Sequence, residues 1–120
     1  MNVVAMRPVA HWHVTLTLAG DAMSESDVCD ALHRLLAERP LVQSCRYGTD
    51  TVELRYWEQA GDVQDAAAMA LRLWGEHKRS ASLPDWRLVG LEVIDRHTFH
   101  RRIEGAPLQR VSVMAEVRPF

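Results

Sequence analysis

The spacing of apolar residues changes period along this chain in an order that few architectures accommodate. Residues 11–18 read HWHVTLTL, with Trp12, Val14, Leu16 and Leu18 on one side of an extended chain and His11, His13, Thr15 and Thr17 on the other. That alternation marks a half-buried strand. After Gly20-Asp21 the repeat becomes helical: Ser24 stands at a capping position, acids follow it, and Val28, Ala31, Leu32, Leu35 and Leu36 recur on one face until Pro40 stops the helix. Residues 41–47 and 51–57 return to strand character around Gly48-Thr49-Asp50, a short connection suited to a hairpin. Val52, Leu54 and Tyr56 share one face of the second of these strands, opposite Glu53, Arg55 and Trp57. In the first, either the set Gln43, Cys45 and Tyr47 or the set Val42, Ser44 and Arg46 faces inward.

Asp62 opens a second helix with Val63, Ala66, Ala67, Ala70, Leu71 and Trp74 on its buried stripe. Residues 86–94 form a fourth strand, for which Val89, Leu91 and Val93 are the expected core face. The resulting order, β-α-β-β-α-β, resembles the ferredoxin-like split βαβ pattern over about residues 11–95. That resemblance implies an α+β domain with an antiparallel sheet in the order 4-1-3-2 and both helices on one face. Residues 96–103 remain strand-compatible, 104–107 contain a turn signal, and Val111, Val113, Ala115 and Val117 alternate. An extra C-terminal strand in a hairpin arm, residues 96–120, is therefore expected beyond the core.

At 120 residues the chain has the length of one domain, and 48% apolar with 25% charged residues is ordinary globular composition. A net charge of −2 offers no steering toward nucleic acid or an anionic membrane. The charge is nevertheless uneven. Residues 21–65 hold ten acids against four Arg, whereas residues 96–118 hold five Arg against Glu104 and Glu116. Cys29 and Cys45 have no CxxC spacing and read as small buried residues. The first ten residues contain no signal-peptide core and no apolar run is long enough to cross a bilayer. A cytoplasmic location follows.

Histidine supplies the sharpest constellation. His11 and His13 lie two apart on one strand face, and antiparallel pairing of the first and fourth strands brings His97 and His100 toward them. Neutral imidazole suits several transition metals, which makes His11, His13, His97 and His100 weak candidate ligands. His97 and His100 differ in strand parity, and no Cys or acid completes the set at metal-binding spacing, so neither metal nor cofactor is expected.

The sheet face away from the helices is expected to show His13, Thr15, Thr17, Glu53, Arg55, Trp57 and Glu92. It lacks the glycine-aromatic signature of RNA-binding sheets, since TVELRYW stands in its third strand. A mixture of Thr, His and Trp with Glu and Arg suits self-association about a two-fold axis. The leading expectation is a homodimeric binding or assembly module contacting a small molecule or a protein partner. His11, His13, Trp57, Arg96, His100, Arg101 and Arg102 are its ligand or interface candidates. Dimers of ferredoxin-like units resemble dimeric α/β barrels, which implies an alternative: a cofactor-free isomerase or monooxygenase-like enzyme. Its substrate would lie between sheet and helices, with His13, Tyr47, Tyr56, Arg55 and His97 as catalytic candidates.

Overall fold

The computed structural model describes residues 8–104 and 116–120. In β1 (Ala10–Ala19) the alternation has the expected sense: Val14, Leu16 and Leu18 are fully buried, and Thr15 and Thr17 are half-buried on the other face. Burial of one such side chain is worth roughly 1.5–3 kcal/mol, so a one-residue register slip, which would expose all of them, is strongly disfavoured. Helix α1 (Glu25–Glu38) starts where the Ser24 hydroxyl accepts the Asp27 amide at 3.2 Å, and it ends ahead of Pro40. Its stripe of Val28, Ala31, Leu32 and Leu35 is buried. Strands β2 (Val42–Tyr47) and β3 (Thr51–Ala60) form the expected antiparallel hairpin.

Helix α2 (Val63–Lys78) is capped by Asp62, whose carboxylate accepts the Asp65 amide at 2.8 Å. Ala66, Ala70, Leu73 and Trp74 are its buried residues, and Ala70, Leu73 and Trp74 join α1 and the sheet in one core cluster. Both long helices therefore serve the same sheet face. Three indoles find backbone acceptors at the margins of this core: Trp12 on Ala60, Trp74 on Pro84 and Trp86 on Asp21. Cys45 is buried and Cys29 packs against the core from partial burial; both are free thiols.

The described strands, completed by β4 (Arg87–Asp95) and β5 (Glu116–Pro119), form a five-stranded mixed sheet in the order β4-β1-β3-β2-β5. The first four pair antiparallel in the expected order. β5 lies parallel to β2, so the sheet is not antiparallel throughout.

Two bulges alter the expected facing. Between Val42 and Ser44 the register shifts, leaving Gln43 without a partner on β3. Val42, Cys45 and Tyr47 consequently all point into the core, drawing from both parity sets. A second shift, opposite Thr17 and Leu18, makes Val89 the extra residue of β4. Leu88, Leu91 and Val93 then share the phase of the buried residues of β1, but only Leu88 and Val93 pack against the core; Val89 is 51% and Leu91 39% exposed, which corrects the placement of both in the core. A bulge on an edge strand also discourages pairing with a further strand.

The largest departure is the C-terminal segment. No hairpin arm forms among the described residues. Asp95 ends β4 and accepts the Thr98 amide at 2.7 Å, and the chain turns into helix α3 (Arg96–Glu104). An acid accepting the amide three residues ahead is a helix start, and it outweighs the weak strand character of this polar stretch. β5 belongs to the opposite edge of the sheet from β4, so it cannot complete a hairpin with it. Of the expected alternation, Val117 lies in β5, while Val111, Val113 and Ala115 lie outside the described residues, as does most of the 104–107 turn.

Candidate functional site

α3 lies on the face of the sheet that α1 and α2 leave open. Cross-strand pairing sets its dock: His13 of β1 stands opposite Trp57 of β3 on one side and Ile94 of β4 on the other. Phe99 of α3 descends onto this pair. Its ring centroid is 4.3 Å from that of His13 and 4.7 Å from that of Trp57, and the His13 and Trp57 rings meet edge-on at 5.1 Å. Such contacts add roughly 0.5–1.5 kcal/mol per aromatic pair beyond area burial. A second tie is ionic: the Arg102 guanidinium donates to Glu92 of β4 at 2.8 Å. Both groups are about half exposed, so the contribution is small. Phe99 holds α3 in place.

Burial under Phe99 changes His13. It is only 5% exposed, and loss of hydration lowers its pKa from 6.5 to about 4. The Arg55 guanidinium lowers it further, Glu92 opposes, and Arg102 adds to the lowering. The imidazole is therefore neutral near pH 7 and serves as a packing surface. At the junction of β4 and α3, hydrogen bonds from Thr98 hold the Asp95 carboxyl below its usual range.

Beside this aromatic cluster is an open cleft of about 330 Å³ lined by His11, Trp57, Arg96 and His100. His11 and Trp57 are diagonal neighbours on the sheet, since His11 pairs with Gln59 and His13 with Trp57. The Gln59 amide nitrogen donates to His11 Nε2 at 3.2 Å. Arg96 and His100 are one helical turn apart, and Arg96 Nε donates to His100 Nε2 at 3.4 Å.

The interface candidates thus divide. His11, His13, Trp57, Arg96 and His100 gather in one region, whereas Arg102 pairs with Glu92 and Arg101 is exposed outside the cleft lining. The four histidines do not assemble as ligands: His13 is sealed in the aromatic cluster and His97 is exposed on α3. No group of three or more His, Cys, Asp or Glu among the described residues is disposed to hold a metal.

The catalytic candidates fall on two sides of the sheet. Tyr47 and Tyr56 face α1 and α2 inside the core, with Tyr56 only 1% exposed and its hydroxyl pushed well above its usual pKa by burial. Arg55 is on the open face, where it donates to Glu53 at 2.9 Å. Tyr56 and Arg55 cannot act on one substrate between sheet and helices.

Phe99 is the site residue absent from the sequence-based candidates. Its signal was the isolated aromatic between His97 and His100, with Ile103 four residues on and Asp95 placed to cap a helix. One protein-family model, described as Domain of unknown function (DUF8830), matches residues 11–110, which takes in the whole aromatic cluster and the cleft. No curated protein and no solved structure matches the chain. No helix among the described residues is long and apolar enough to cross a membrane.

Proposed function

The chain belongs to the DUF8830 domain family, and we propose that it is a non-catalytic, homodimeric binding module of the cytoplasm, a single domain built on a ferredoxin-like core. The strand order and the common face of α1 and α2 support the fold reading. The observation that carries the functional reading is the docking of α3 on the otherwise open sheet face through Phe99, His13 and Trp57. A sheet with two helices already closes its core on one side. An element added to the other side, making a walled cleft over a tryptophan, is a surface for recognition. A dimeric-barrel enzyme has less support, because its substrate space between sheet and helices is occupied here by core side chains such as Tyr56, Leu32 and Leu35.

The face not covered by α3 supports self-association. Thr15, Thr17, Glu53 and Arg55 lie side by side through the register of β1 with β3. A patch with both charge signs and short hydroxyl side chains complements itself about a two-fold axis. Size-exclusion chromatography with light scattering tests this. A dimer is expected for the native chain and a folded monomer for Thr15→Arg, which puts a cation at the centre of the face. A native monomer at the highest soluble concentration would refute the dimer.

A further inference from the structure

We propose that the cleft between β1, β3 and α3 binds a small planar aromatic monocarboxylate, with the ring on Trp57 and the carboxylate on Arg96. This rests on the binding-module reading and names the ligand class of its cleft. The volume, about 330 Å³, lies at the lower end of the range for small-molecule sites and suits one or two fused rings. Trp57 supplies the apolar surface, and it is held from beneath by edge contacts with His13 and Phe99. A pre-positioned indole loses little side-chain freedom when a flat ring packs on it.

The rim selects charge. Among the described residues none that lines the cleft is acidic, and Arg96 is the one permanent cation there. Because Arg96 Nε is spent on His100 Nε2, the two terminal guanidinium nitrogens are left to grip a carboxylate in the bidentate manner. His100 accepts that bond at Nε2, and His11 accepts from the Gln59 amide at Nε2, so both imidazoles are engaged along the rim. One permanent positive charge on the rim matches a monoanion. A phosphate dianion would leave charge uncompensated, and an aliphatic acid would forgo contact with the indole.

The test titrates the purified native chain with 2-naphthoate, following heat by calorimetry and the Trp57 indole signal by NMR. Three further probes are 2-naphthamide, cyclohexanecarboxylate and 2-naphthyl phosphate. Naphthoate is expected to bind and to shift the Trp57 signal. The amide, the non-aromatic acid and the Arg96→Gln variant should each bind at least about tenfold more weakly, as expected from losing a charge-assisted hydrogen bond or a stacked ring. Arg101→Gln, on the same helix but outside the cleft, should bind naphthoate normally. Absence of naphthoate binding, equal binding of the amide, or tighter binding of the phosphate would overturn the assignment. The comparison among probes needs no variant to fold. Light scattering separates this result from the dimer reading: a dimer that ignores naphthoate loses only the ligand class, and a monomer with Arg96-dependent binding loses only the dimer.

Discussion

Acidification should loosen this protein through His13 in particular. In the folded chain its pKa is about 4, against 6.5 for an ordinary histidine, because burial between Phe99 and Trp57 opposes protonation. The unfolded chain binds the proton more readily throughout that window. Stability associated with His13 is therefore complete above about pH 6.5, falls as the pH drops toward 4, and levels off below it. The whole gap is worth roughly 3 kcal/mol, and about 2 kcal/mol of it should be gone at about pH 5. The loss has a ceiling. Once protonation costs more than undocking α3, Phe99 lifts away and the imidazole is hydrated without global unfolding. Urea denaturation of the native chain and of His13→Phe, compared from about pH 7.5 to 4.5, isolates the effect, because the other titrating groups are shared. The stability difference should shift by about 2 kcal/mol in favour of the variant on going to about pH 5. If α3 undocks first, the shift is smaller and amide hydrogen exchange in α3 accelerates over the same range. A pH-independent difference, with exchange in α3 also unchanged, would refute the reasoning.

Phe99→Ala should cost about 1–3 kcal/mol by urea denaturation and raise the His13 pKa toward 6.5 in an NMR titration, because it uncovers the ring. Gly20→Ala should destabilise by about 1–3 kcal/mol in thermal or urea unfolding, since a Cβ there would collide with the indole of the buried Trp86. Tyr56→Phe should leave the urea midpoint unchanged or raise it by up to about 1 kcal/mol of stability. The hydroxyl it removes is buried without a hydrogen-bond partner among the described residues.

The main body of the fold was legible because its residues repeat. In β1 the run Trp12, Val14, Leu16 and Leu18 repeats with a single period, and the stripe of α1 does the same between Ser24 and Pro40. What escaped detection was of two physical kinds. Gln43 and Val89 each add one residue to a strand, and a bulge leaves no compositional mark; it only exchanges the parity on either side. The placement of β5 beside β2 is a long-range parallel pairing with no local signal. α3 combines both difficulties. Its residues are mostly Arg and His, and its contact with the sheet is concentrated in Phe99, so no apolar stripe declares it a helix. The candidate site was half legible for the same reason. His11, His13 and Trp57 follow from strand parity, while the company of Arg96 and His100 depends on α3 being helical.

That dependence has a thermodynamic corollary. Two of the cleft's lining residues belong to the sheet and two to α3, so the site exists only while Phe99 is docked. A ligand bound there favours the docked state, in which His13 resists protonation. Linkage then requires the reverse: protonation of His13 must weaken the ligand by the same factor that the ligand disfavours protonation. Affinity for the cleft should fall as the pH drops toward the His13 pKa of about 4. Calorimetric titration of an aromatic monocarboxylate at about pH 7 and about pH 5 checks the sign: a cleft that depends on a docked helix binds it less tightly in acid, and unchanged or tighter binding would refute the coupling.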